Sequence, residues 1–184
     1  MSEENLDSAQ TGAPEMDQET YEMIQQLFQL VRSDDAARLE GLFERGFDAP
    51  NIRDGKGNSL LMLASYNGQL EMTRALLEHG GDAQIANDMG QIPLAGAAFK
   101  GNTEMVKLLI EHGADVNARM ADGKTPLMFA AMFNRLEIID LLLEHGADAS
   151  AKASDGSTAL SLTQMMGAED ARTHLEKLGF NSSH

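Results

Sequence analysis

The stretch Asp122-Gly123-Lys124-Thr125-Pro126-Leu127-Met128-Phe129-Ala130-Ala131, closing at Leu141-Leu142-Leu143-Glu144-His145-Gly146-Ala147-Asp148, decides how this chain folds. It recurs. Its opening glycine has counterparts at Gly57, Gly90 and Gly156, each 33 residues from the next, and its closing glycine recurs at Gly80, Gly113 and Gly179. An earlier copy ends at Gly46, 34 residues before Gly80, so one extra residue sits in that first junction. A fixed period of this length means stacked supersecondary units, none of which can bury its apolar face alone.

Within the quoted unit, Thr125 reads as a helix N-cap and Pro126 as the first helical residue, where a missing N–H costs nothing. Ala130 and Ala131 are small, as adjacent inner helices in close approach require. A turn at Asn134-Arg135 leads into an outer helix over Leu136–Glu144. Its Ile138, Ile139, Leu141, Leu142 and Leu143 are too apolar for a one-sided surface helix, which predicts cover from the repeats on both sides. Gly146-Ala147-Asp148 then leads to a hairpin tip at Ser154-Asp155-Gly156, the Asp-Gly pair supplying turn geometry.

Outward from this unit the pattern weakens at both ends. Residues 1–18 hold acidic residues, Gly12 and Pro14 but no Lys or Arg, which predicts a disordered acidic tail. Order is expected from near Thr20. Ile24, Leu27, Phe28 and Val31 share one helical face, and Ser33-Asp34-Asp35 breaks and recaps the chain. A second helix over Ala36–Phe43 should bury Leu39, Leu42 and Phe43, with Gly46 as a left-handed cap. Glu22, Gln25, Gln26 and Gln29 give this first unit the polar outer face of a cap. The last unit, Thr158–Phe180, has a charged, apolar-poor outer helix that suits the opposite cap. The expected layout of the 19–180 domain is an N-cap repeat at 20–52, internal repeats at 53–86, 87–119 and 120–152, and a C-cap repeat at 153–180. Residues 181–184 should fray.

Thr125-Pro126-Leu127 with Ala130-Ala131, and Glu111-His112-Gly113-Ala114-Asp115-Val116-Asn117-Ala118, resemble the ankyrin repeat family in period and signature. The resemblance covers roughly residues 20–180. It implies an all-α repeat solenoid of about five helix pairs with short β-hairpin tips, working as a non-enzymatic protein-binding module. One departure is consistent: the His that the family places after Thr-Pro-Leu is Met62, Ala95, Met128 and Ser161 here. In the family that His ties neighbouring repeats together, so its loss bears on inter-repeat rigidity. For small free-standing bacterial members, the resemblance also implies company with oxidative-stress enzymes such as catalase.

Composition narrows the partners. The formal net charge is −15, so nucleic acid and anionic membrane surfaces would be repelled. There is no cysteine, which removes disulfides, thiolate metal sites and cysteine nucleophiles. The N-terminus has neither the basic nor the apolar region of a secretory signal, and no run of about 18 apolar residues is present to span a bilayer. The expectation is a monomeric cytoplasmic protein with a protein partner.

Two rows of titratable residues invite a chemical reading. His79, His112 and His145 recur every 33 residues. Neighbouring imidazoles would need to meet within about 4 Å to share a metal ion, whereas repeats stack about 8–10 Å apart. Placement at outer-helix C-termini explains them better, since a donor there complements the last carbonyls. Asp82, Asp115 and Asp148 sit on a repeating loop, where turn hydrogen bonding accounts for them. No Gly-x-Ser-x-Gly elbow or phosphate loop occurs, and Gly90, Gly96 and Gly101 read as punctuation of one repeat. Neither an enzyme nor a cofactor is expected.

The informative rows lie nine and ten residues past each opening glycine. The first reads Tyr66, Phe99, Met132 and Met165, and the second Asn67, Lys100, Phe133 and Met166, with Arg32 and Ser33 beginning both. By the resemblance, these positions end the inner helices and face the concave groove. An aligned apolar ladder on a surface usually marks an interaction site, and aromatic anchors beside Arg32 and Lys100 suit a binding hot spot. Arg53-Asp54-Gly55-Lys56, Asp88-Met89 and Met120-Ala121-Asp122 would form the rim, with Lys56 adding charge and Met89 and Met120 extending the patch. The competing expectation is that these side chains fold back over the alanine-rich helices. The second functional reading is an acidic inhibitor or protective protein that masks a basic surface, on a toxin, nuclease or host factor, or supports a partner enzyme. Charge-led binding would weaken steeply with salt and groove-led binding would not.

Overall fold

The computed structural model describes residues 17–46 and 49–180. Residues 1–16 of the tail expected at 1–18, and the frayed end at 181–184, lie outside the described residues; Asp17 and Gln18 are ordered as the start of α1. Ten helices are present among the described residues: α1 Gln18–Ser33, α2 Ala36–Phe43, α3 Leu60–Tyr66, α4 Leu70–Glu78, α5 Pro93–Lys100, α6 Thr103–Glu111, α7 Pro126–Met132, α8 Leu136–Glu144, α9 Ala159–Met166 and α10 Glu169–Lys177. They alternate between two layers. The odd-numbered inner helices pack in series, as do the even-numbered outer helices, and each inner helix packs on the outer helix that follows it.

Local sequence chemistry sets the boundaries. Ser59, Thr125 and Thr158 cap α3, α7 and α9 by accepting a backbone N–H of the first turn, and Pro93 and Pro126 open α5 and α7. Between α1 and α2, Asp34 adopts the left-handed conformation and Asp35 accepts from the N–H of Arg38 at 3.1 Å. Helix α1 starts at Gln18, two residues before the point expected from the sequence, because Asp17 caps it through the N–H and hydroxyl of Thr20. At 16 residues it is at least twice the length of the other inner helices, which have 7 or 8.

The core is one continuous cluster running from Leu27 and Phe28 to Ala171 and Leu175. The inner-helix alanines Ala97, Ala98, Ala130 and Ala131 are fully buried, which is the close approach their size permits. In α8, Ile138, Ile139 and Leu142 are buried, but Leu141 and Leu143 are only half-covered. Leu42 and Gln26 are likewise half-buried rather than at the expected extremes.

The tips are short. In each of the last two, as in the first two, one N–H reaches the carbonyl four residues on and the glycine N–H reaches back three, as in Met120 N→Lys124 O at 2.9 Å and Gly123 N→Met120 O at 2.8 Å. One isolated antiparallel bridge, Arg53–Ser59, accompanies them among the described residues.

Without the family's histidine, other side chains join the repeats. Asn51 donates to Gly80 O and accepts from Asp82 N, and Asn117 does the same to Gly146 O and Asp148 N, all at 2.7–3.0 Å. Two residues on, Arg53 donates to Ala86 O and Arg119 to Lys152 O. Asn134 holds Asp170 and the N–H of Ala171, and His174 Nε2 meets Asp140 at 2.6 Å. These bonds are what the sequence reading did not foresee, and they span the repeats at the tips and at the turns.

Candidate functional site

From α3 onward, charge is segregated by layer. Helices α3, α5, α7 and α9 contain no Asp or Glu, and Lys100 is their one charged residue. Each of α4, α6, α8 and α10 carries two or three carboxylates. The angle between the inner helices and the tips is hollowed at two adjacent places.

The first hollow, about 220 Å³, is apolar and centred on Gly96. Tyr66, Phe99, Met62, Ile92 and Phe129 surround it, with Gln91 and Met120 entering from the tips. Gly96 occupies the column that holds Leu63, Phe129 and Leu162 in the other repeats. A side chain is missing from that row, and the space it would fill is the hollow. Gly96 is therefore not punctuation: it lies inside α5, and a Cβ built there would sit 3.4 Å from Cδ2 of Tyr66.

The second hollow, about 590 Å³, is lined by Val31, Arg32, Leu63 and Asn67 from the helices and by Asp54, Lys56 and Asn58 from the first tip. Asp54 is the carboxylate here, and its oxygens are occupied by Lys56 N, Asn58 N and Asn58 Nδ2 at 2.8–3.0 Å. Partial burial works against its charge, but the donors of Asn58 and Lys56 outweigh that and hold its pKa below the usual carboxylate value. Asn87 Nδ2 donates to Asn58 Oδ1 and to Gln91 Oε1 at 2.9 and 2.8 Å, so one hydrogen-bonded chain links a lining residue of each hollow.

The structure brings most of the sequence-selected residues together. Tyr66 and Phe99 line the apolar hollow at 46% and 36% exposure. Lys100 Nζ lies 4.3 Å from the centroid of the Tyr66 ring, a cation–π distance. Arg32, Lys56 and Asn67 line the second hollow, with Arg32 also over Phe28 at 5.9 Å. Met165 and Met166 are exposed on α9, and Met89 is exposed on its tip outside both hollows. The ladder is not uniform. Met132 is half-buried against the core, and Phe133 is half-buried with its ring edge-on to Phe99 at 4.7 Å. At these two positions folding back over the scaffold prevails. The sequence reading missed Met62, Gln91, Ile92, Gly96 and Phe129, although the Leu–Gly–Phe–Leu column was legible as the place where one repeat lacks a side chain.

The titratable rows behave as scaffold. His112 and His145 place Nδ1 at 3.0 and 2.8 Å from the carbonyls of Leu108 and Leu141, four residues back. His79, the corresponding C-cap, stacks on Phe43 at 4.7 Å. Asp82, Asp115 and Asp148 each accept, at 2.8 Å, the N–H two residues on. No helix among the described residues is long and apolar enough to cross a membrane.

A family model for three copies of ankyrin repeats matches residues 19–120, and a single-repeat ankyrin model matches residues 122–154. A Pseudomonas aeruginosa protein named for its ankyrin repeats is 51% identical to this chain over 61 residues, which is 33% of this chain and 35% of that protein. The similarity thus spans about a third of either chain.

Proposed function

The chain belongs to the ankyrin repeat family, and on that premise we propose that it is a non-enzymatic binding module that grips a protein partner between its inner helices and its tips. Ankyrin repeats are generally protein–protein interaction modules. The observation that carries the finer reading is the acid-free run of inner helices from α3 to α9, with Tyr66 and Phe99 open around the Gly96 hollow. Half-exposed aromatics beside a hollow offer a partner both apolar area and shape. Met165 and Met166 would extend the contact towards the C-terminal repeat, and Arg32, Lys56, Asn67 and Lys100 would supply its polar edge. Met132 and Phe133 would act from beneath, by supporting Phe99 and its neighbours.

The test compares wild type with a Tyr66→Ala, Phe99→Ala, Met165→Ala variant of unchanged helicity, as baits in a pull-down at low and high salt. A protein kept by wild type at high salt and lost by the variant is the expected result. Each lost anchor should cost on the order of 2 kcal/mol, about thirtyfold in affinity. The second reading, in which the chain masks a basic surface, is favoured by the acidic outer helices. It predicts a partner retained by both baits and released from both by salt.

A further inference from the structure

We propose that the partner segment seated in this groove is acidic: an extended stretch whose large apolar side chain fills the Gly96 hollow and whose Asp or Glu, about three residues away, sits between Arg32 and Lys56. This deepens the groove reading and rests on it.

The apolar end follows from size and lining. A hollow of about 220 Å³ falls below the usual range of about 300–1,000 Å³ for small-molecule sites. It is open and walled by Tyr66, Phe99, Met62 and Phe129, so one large aliphatic or aromatic side chain suits it. The spacing follows from the repeat. The cationic hollow lies between α1 and α3 and the apolar one between α3 and α5, one repeat apart. That step is about 8–10 Å, and an extended chain advances roughly 3.3 Å per residue.

The sign of charge follows from what the groove lacks. The chain has 29 Asp and Glu against 14 Lys and Arg, yet Arg32, Lys56 and Lys100 form no ion pair among the described residues. The carboxylate facing the second hollow, Asp54, is already saturated by donors of its own tip, and Asp88 on the next tip is paired with Arg53 at 3.3 Å. Arg32 and Lys56 therefore face one hollow against the single carboxylate of Asp54, a third cation caps Tyr66, and no inner-helix carboxylate from α3 to α9 opposes them. A basic segment would meet these cations and leave its own charges unpaired. An acidic one meets complementary charge at its docking site, although the protein as a whole is strongly anionic.

The probe is a phage-displayed library of random linear peptides, selected on the full chain. Recovered peptides are then measured by fluorescence anisotropy against wild type, Gly96→Leu, Lys56→Glu, and Tyr66→Ala, each checked for unchanged helicity. The expected result is enrichment of a large apolar residue with Asp or Glu two to four positions away, by the spacing above. Gly96→Leu and Lys56→Glu should each weaken binding about tenfold or more, the second more at low salt. Peptides enriched in Lys or Arg, or without charge bias, that still lose binding on Gly96→Leu and Tyr66→Ala overturn the acidic partner and leave the groove reading standing. Peptides that bind all four proteins equally overturn both. A library that yields no binder overturns the proposal too, since it claims recognition of a linear segment.

Discussion

Gly113 and Gly123 offer a matched pair for measuring what stacking demands of a tip. Both are internal and both have positive φ, +86° and +77°. They differ in their neighbours. A Cβ at Gly113 would meet nothing within 4 Å, whereas one at Gly123 would lie 2.8 Å from the backbone N of Ser154 and 3.3 Å from the carbonyl carbon of Ala153. The next tip hangs on that contact, because Ser154 N donates to Asp122 O at 3.0 Å. Replacement by Ala costs about 1–2 kcal/mol at either site for the left-handed backbone. At Gly123 the stacked backbone must also move. Overpacking adds roughly 1–3 kcal/mol, and losing the tip-to-tip bond adds about 0.5–1.5 kcal/mol. The expected costs are therefore about 1–2 kcal/mol for Gly113→Ala and about 2.5–6.5 kcal/mol for Gly123→Ala. Urea unfolding followed by far-UV circular dichroism reads both from the shift in midpoint at constant slope. Equal shifts for the two variants would refute the claim that the opening glycines serve the neighbouring repeat, and would leave backbone conformation as their whole explanation.

Three further outcomes are expected. Gly96→Ala should stabilise the fold by about 1 kcal/mol, since a helix-interior glycine is replaced and the new Cβ only touches Tyr66; a thermal melt that does not rise contradicts this. Asn117→Ala removes two bonds across a repeat junction, to Gly146 O and from Asp148 N, and should cost about 1–2 kcal/mol, with the Asp148 amide exchanging faster with solvent. Acid should destabilise the tips in a defined window. Asp122, Asp148 and Asp155 have lowered pKa values from hydrogen bonds donated by Lys124, Ser150 and Ser157. A depressed folded-state pKa means their stabilisation is present above the ordinary value of 3.8 and is lost as pH falls through the lower folded values. The urea midpoint should therefore drop below about pH 4, and a triple Asp→Asn variant should show a shallower drop.

The period made the architecture legible, because a strict spacing of glycines states both the repeat and its length. The capping residues were legible for the same reason: Thr125, Pro126 and Asp35 act within a few residues of themselves, and local chemistry can be read locally. Burial was read less well where it depends on a neighbour. Leu141 and Leu143 are apolar enough for a core, but the adjoining outer helices leave their sides half-open. The column of Met132 and Phe133 alone points to groove anchors. Their exposure is set by Phe99 and the core beside them, and a column does not say which neighbour reaches over. The junction bonds escaped notice because Asn51, Asn117, Arg53 and Arg119 look like ordinary loop residues until the loop 29–35 residues away lies beside them.

Net charge says least about the groove, and the reason is geometric. A sum over the chain treats every carboxylate as if a partner would meet it, but in a solenoid a partner meets one layer. From α3 onward the acids are on the outer helices and on loops and tips where turn donors or arginine engage many of them, whereas the inner row from α3 to α9 has none. At an ionic strength near 0.15 M, screening limits exposed charges to about 8 Å. The outer helices lie behind the inner row by a helix-packing distance of about 8–10 Å. The outer carboxylates therefore act weakly on a segment held at the tips, and Arg32, Lys56 and Lys100 set the local sign. The total of −15 governs long-range encounter and solubility. On the proposed reading, the docking preference is governed by three cations and one absent side chain, at Gly96.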